Sequence, residues 1–136
     1  MDAVPEASRR GPTAAAISNA VVHVFRERLG KGPTRAKTYL HEDMVSCVLR
    51  GGFSVQEMNL VAAGRNDLVE NQRRAMQKII SRELIDAVEG LTGRTVEAFM
   101  SSNHVDPEIS LETFILDARP DDDDALGVLE AVVETG

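Results

Sequence analysis

The chain has no tryptophan, one tyrosine and four phenylalanines among its 136 residues. Its core must therefore be packed by Val, Ile, Leu, Met and Ala. The single cysteine, Cys47, cannot form an internal disulfide. Set in Val45-Ser46-Cys47-Val48-Leu49, it reads as a small buried hydrophobe, and a reducing, cytoplasmic compartment is expected. No run approaches the ~18 apolar residues of a transmembrane helix, so the chain is not expected to span a bilayer. Residues 1–10 lack the apolar stretch of a signal peptide. Excess positive charge is missing as well. The formal net charge is −7, and the segment from Asp117 onward carries −6 of it, leaving −1 for the rest. A nearly neutral body with an acidic tail is a poor phosphate-backbone binder, so no nucleic-acid partner is expected.

What is present fits one domain, because 136 residues bury a single core. Residues 1–12, with Pro5, Gly11 and Pro12 and no periodicity, read as a disordered arm. A first helix is expected from the cap candidate Thr13, with Ile17, Ala20, Val21, Val24 and Phe25 on one face, ending at Leu29-Gly30-Lys31-Gly32-Pro33. Strand-like runs at Thr34 to Leu40 and Met44 to Leu49 flank a polar break, His41-Glu42-Asp43, and read as a hairpin. Val45, Cys47 and Leu49 should face the core.

Ser54-Val55-Gln56-Glu57 has the form of a capping box and should open a short helix to about Ala63. Asn66 can cap a long third helix to about Leu91, with Leu68, Val69, Met76, Ile79, Ile80, Leu84 and Val88 as its apolar stripe. Two further strands, Thr95 to Ser101 and Leu111 to Leu116, enclose a polar loop. The order α-β-β-α-α-β-β predicts an α+β two-layer fold. It should be an antiparallel four-stranded sheet of two hairpins, with helices on one face. Residues 13–119 then form the globular domain. Residues 120–136 form an acidic tail, whose Ala125 to Thr135 shows a short helical pattern expected to dock on an oligomer contact or a partner.

The segments Ala16-Ile17-Ser18-Asn19-Ala20, Leu29-Gly30-Lys31-Gly32-Pro33-Thr34 and Leu91-Thr92-Gly93-Arg94 resemble the MpsC family. So, above all, does Ala98-Phe99-Met100-Ser101-Ser102-Asn103-His104-Val105-Asp106-Pro107-Glu108. The similarity runs over roughly residues 14 to 117. The family is bacterial and is named after a proposed Na⁺-translocating, membrane-potential-generating system, and it supplies no catalytic residues to transfer. The resemblance implies an accessory of a membrane-potential (Na⁺ or bicarbonate) transport complex. Such an accessory would be a cytoplasmic homo-oligomer, peripheral at the inner face of the membrane. A chain without a span cannot itself be the pore.

Among residues with chemical potential, the two interhairpin loops stand out. His41 and Asp43 in one, and Asn103, His104 and Asp106 in the other, make a candidate binding site if the loops meet. A metal-binding protein or small enzyme built on these loops is the alternative to a non-enzymatic binding or regulatory module. The favoured reading takes the loop residues as turn formers, with no metal, no cofactor and no catalytic constellation. His23 reads as a structural or boundary residue, and Cys47, Ser101 and Ser102 have no base beside them in sequence. Gly30-Lys31-Gly32-Pro33 closes a helix, whereas a phosphate-cradling loop opens one. Arg73, Arg74 and Lys78 read as a solvated helix face.

Overall fold

The two hairpins expected from the alternating runs form, and they join into one antiparallel sheet with helices on one face, the α+β arrangement anticipated above. The computed structural model describes residues 6–120 and 133–135. In chain order the elements are α1 (Glu6–Leu29), β1 (Arg35–His41), β2 (Met44–Arg50), α2 (Val55–Ala62), α3 (Asn66–Thr92), β3 (Val96–His104), β4 (Ile109–Leu116) and β5 (Val133–Thr135). The spatial order is β3-β4-β2-β1-β5, so the second hairpin lies beside the first through β4 and β2.

Helix α1 begins at Glu6, not Thr13, so residues 6–12 are helical where an arm was expected, with Pro12 inside. In the second turn of the helix Pro12 forfeits its own bond to the carbonyl four residues back and crowds that carbonyl. From Ala14 onward an apolar stripe, Ala14, Ile17, Val21, Val24 and Phe25, holds the helix to the sheet. Val45, Cys47 and Leu49 face the helices, each buried, and Leu40, Phe114 and Leu116 join them in the core. Phe99 packs on Phe114 with ring centroids 4.9 Å apart. A bulge between Val96 and Ala98 shifts the register of β3. An extra residue breaks strict alternation, so Val96 and Phe99, of opposite parity to one another, both pack against the core.

The turn between β1 and β2 is tighter than the sequence suggested. His41 pairs with Met44, leaving Glu42 and Asp43 as the turn, with Glu42 at φ 56°. Likewise β3 runs on through Asn103 and His104, and the second turn shrinks to Val105 to Glu108. Ser54 and Glu57 form the reciprocal capping box. Asn66 does not cap α3: Arg65 holds that position without a side-chain bond, and Gly93 closes the helix in the left-handed conformation at φ 71°.

The buried stripe of α3 also differs from the apolar one. It is Val69, Arg73, Gln77, Ile80, Leu84, Val88 and Thr92, while Leu68 and Ile79 are exposed. At the other end of the chain Val133 to Thr135 pair with Leu40 to Thr38 as β5, so these three residues are strand and not the end of a helix. The β-branched Val133 and Thr135 suit that conformation. The rest of the expected tail helix, and residues 1–5, fall outside the described residues.

Candidate functional site

The two loops proposed to converge lie at opposite ends of the sheet. Met44, which closes the first turn, sits across from Ile115, whereas Arg50, at the far end of the same strand, sits across from Ile109 beside the second turn. Six residue steps along β2 separate the ends by about 20 Å. His41 and Asp43 therefore cannot share a site with Asn103, His104 and Asp106. Among the described residues no three His, Cys, Asp or Glu side chains gather as a ligand set.

Asn103, His104 and Asp43 have local roles instead. Asn103 points inward, where its amide donates to Gln77 Oε1 at 2.7 Å and its carbonyl oxygen accepts from Gln77 and from the Ser110 hydroxyl. His104 points outward, its Nδ1 2.8 Å from the Pro107 carbonyl. Asp106 precedes Pro107 in the exposed turn. Asp43 accepts the Leu116 N–H through its backbone carbonyl at 2.7 Å. His23 is exposed on α1.

The Gly30 to Pro33 segment is also structural. Lys31 donates to the Phe53 carbonyl at 3.2 Å. A Cβ on Gly52, at φ 95°, would meet Pro33 at 3.0 Å, so the two glycine loops pack backbone to backbone.

Reading by periodicity missed a polar seam between α3 and the sheet. Arg73, taken above as part of a solvated face, is buried. It donates to both Glu57 oxygens at 3.0 Å and to the Gly52 carbonyl at 2.9 Å, and its guanidinium lies 4.6 Å over the Phe53 ring. Burial pushes the Glu57 carboxyl up, but the bonds from Arg73 and Ser54 outweigh it and the net shift is downward. One turn along α3, Gln77 donates to Glu112 Oε2 at 2.8 Å.

Glu112 is fully buried, and its row across the sheet reads Thr38, Cys47, Glu112, Ser101. Burial drives its carboxyl up to about 8 against the opposing pull of Ser101, Gln77 and Arg73. Glu112 Oε1 and Ser101 Oγ are buried with no well-formed hydrogen bond. A proton on Oε1 would supply one, because a neutral carboxyl donates to a hydroxyl oxygen. Burial likewise pushes the Cys47 thiol up to about 11, so it is no thiolate nucleophile at neutral pH.

The helices cover one side of the sheet only. On the other side the four long strands form rows that register aligns: His104, Ile109, Arg50 and Arg35; Ser102, Leu111, Val48 and Lys37; Met100, Thr113, Ser46 and Tyr39; Ala98, Ile115, Met44 and His41. In a chain of net charge −7, these rows hold three cations and two histidines, and the one carboxylate position that register adds is Glu134 of β5, opposite Tyr39. Arg35, Lys37 and Arg50 gather at one corner around Tyr39 and Val48, lining a hollow of about 520 Å³. Leu111, Met44 and Met100 supply exposed apolar surface, with Met100 53% exposed.

The family described as "Na+-translocating membrane potential-generating system (MpsC)" matches residues 9–118. An uncharacterized protein of Bacillus subtilis (strain 168), YrhF, is 25% identical over 107 residues, which is 76% of this chain and 88% of that protein. No solved structure matches.

Proposed function

Because the chain belongs to the MpsC family, we propose that it is a non-enzymatic binding module of a membrane-potential system, docking through its helix-free sheet face on an acidic surface of a protein partner. The observation that carries this reading is the charge segregation: in an acidic chain the outward rows of the four long strands hold three cations and two histidines, and register adds one carboxylate position, Glu134 at the β5 edge. Complementary potentials steer association and exclude wrong partners. A protein surface fits better than a bilayer, since the exposed apolar residues Met44, Met100 and Leu111 stand in separate rows among polar and cationic side chains. No described helix is long and apolar enough to cross a membrane. On this reading the module is a peripheral component at the inner face, and the translocating path belongs to its partners.

The support for a non-enzymatic role is chemical. The thiol is held protonated, the buried Ser101 faces a carboxyl that is itself neutral below about pH 8, and the two histidine loops are a sheet length apart. The test is co-purification from solubilised native membranes, comparing the parent chain with Arg35→Glu/Arg50→Glu. These exposed side chains sit opposite one another, and their reversal should leave the circular dichroism unchanged. Membrane-system subunits should be retained by the parent and lost by the variant. Equal recovery of the same subunits refutes the assignment. Salt-sensitive binding to protein-free anionic vesicles, abolished by the same substitutions, would reassign the face to lipid.

A further inference from the structure

The two edges of the sheet are finished differently. The edge at β1 is closed by this chain's own β5, which pairs with Thr38 to Leu40. The edge at β3 pairs with nothing among the described residues. Folded proteins usually blunt such an edge with charged residues, proline, a β-bulge or a covering segment, and β3 has such devices only at its start. Strand β3 has neither lysine nor proline over its nine residues, and its one carboxylate, Glu97, sits in the bulge at its start.

Between this edge and α3 runs a groove of about 570 Å³. Its helix wall carries Arg74, Ala75 and Lys78, and its strand wall carries Phe99 and Ser101. No carboxylate lines it, and Arg74 is steadied by a 3.1 Å bond to Asn71. A helix flanking an open strand edge is the arrangement that accepts an added strand, with backbone pairing for affinity and alternate side chains for selectivity.

We propose that the α3–β3 groove binds an extended peptide segment of alternating acidic and apolar residues, added as a further strand on β3. The spacing matches. Arg74 and Lys78 are four residues apart on α3, a rise of about 6 Å. Alternate residues of a strand are about 6.7 Å apart. Acidic side chains at two successive groove-facing positions thus meet the two cations, and their methylenes cover Phe99. The intervening positions face the other side of the sheet, where Met100 and Ala98 are exposed and apolar residues are favoured.

A second copy of the chain fits this edge poorly. Two-fold pairing of β3 with itself would bring Arg74 and Lys78 toward their own counterparts with no carboxylate in the groove to separate them. The occupant is therefore a partner's extended segment, and its site is separate from the sheet-face corner at Arg35 and Arg50.

The test is selection of a displayed library of random linear peptides, about ten residues long, on the intact chain, followed by amide hydrogen exchange with the selected peptides. Enriched sequences should alternate acidic and apolar residues, and their addition should slow exchange across Val96–His104. Affinity should fall at least about tenfold, or ~1.4 kcal/mol, in Arg74→Glu/Lys78→Glu. It should also be lost when alternate peptide nitrogens are methylated. Arg35→Glu/Arg50→Glu should bind the peptides as the parent does, which separates this site from the sheet face. The proposal is overturned by no enrichment, by affinity that survives the charge reversal or methylation, or by protection that appears elsewhere. Dimerisation that protects β3 without peptide would give the edge to a second copy instead.

Discussion

Replacing Glu112 with Gln should make the protein more stable at neutral and mildly alkaline pH and change little in acid. The carboxyl is fully buried and titrates at about 8 when folded, against its ordinary 4.5. Between those values the folded state holds more protons than the unfolded one, so stability falls as pH rises. The contribution is complete below about 4.5 and gone above about 8. At ~1.4 kcal/mol per pH unit, the whole span is about 5 kcal/mol, of which about 3 kcal/mol is lost by pH 7.

Glutamine keeps the shape, and its amide can donate to Ser101 Oγ while its oxygen accepts from Gln77. Thermal melts of parent and Glu112→Gln across pH 5 to 8 should therefore diverge, with the variant gaining roughly 10 °C in relative Tm by the alkaline end. The acid-side behaviour of Glu57, whose carboxyl is held low, is common to both proteins and cancels in the difference. A Tm difference that stays constant with pH, or one that moves in the parent's favour, would show that Glu112 is not a buried neutral acid.

Two further outcomes follow from the same core. Cys47→Asp should cost several kcal/mol by burying an unpaired charge, whereas Cys47→Ala leaves a small cavity worth ~1 kcal/mol. Denaturant titration distinguishes them, and equal midpoints would mean that the β2 register is wrong. Arg73→Ala should cost about 3–5 kcal/mol because it strands the Glu57 carboxylate, while a Glu57→Gln/Arg73→Met double variant should recover much of the loss. A double variant no more stable than Arg73→Ala would contradict the role of the pair.

Much of the architecture was legible in the chain itself. Period-two alternation placed Val45, Cys47 and Leu49 on one face, and the Ser54 and Glu57 capping box marked a helix start, because both signals are local. Glycines at 51 and 93 ended elements as their positive φ angles require. Asn103, His104 and Asp106, in the stretch that carried the family resemblance, did not make a site with His41 and Asp43. Nothing local says at which end of a sheet two turns will lie.

What only the tertiary structure decided is the fate of polar residues on helical faces. By periodicity Arg73 and Gln77 are indistinguishable from solvated residues, and Ile79 looks like core. The partners that bury Arg73 and Gln77 come from 16 and 35 residues away, as Glu57 and Glu112. Likewise the cation-rich sheet face and the open β3 edge arise only when the strands align, since charge segregation across a sheet is a property of register. Local sequence sets which backbone each segment adopts, through dihedral preference and the pattern of apolar side chains. Burial of a charge, the pKa that follows and the surfaces left for partners depend on which distant segments are brought together.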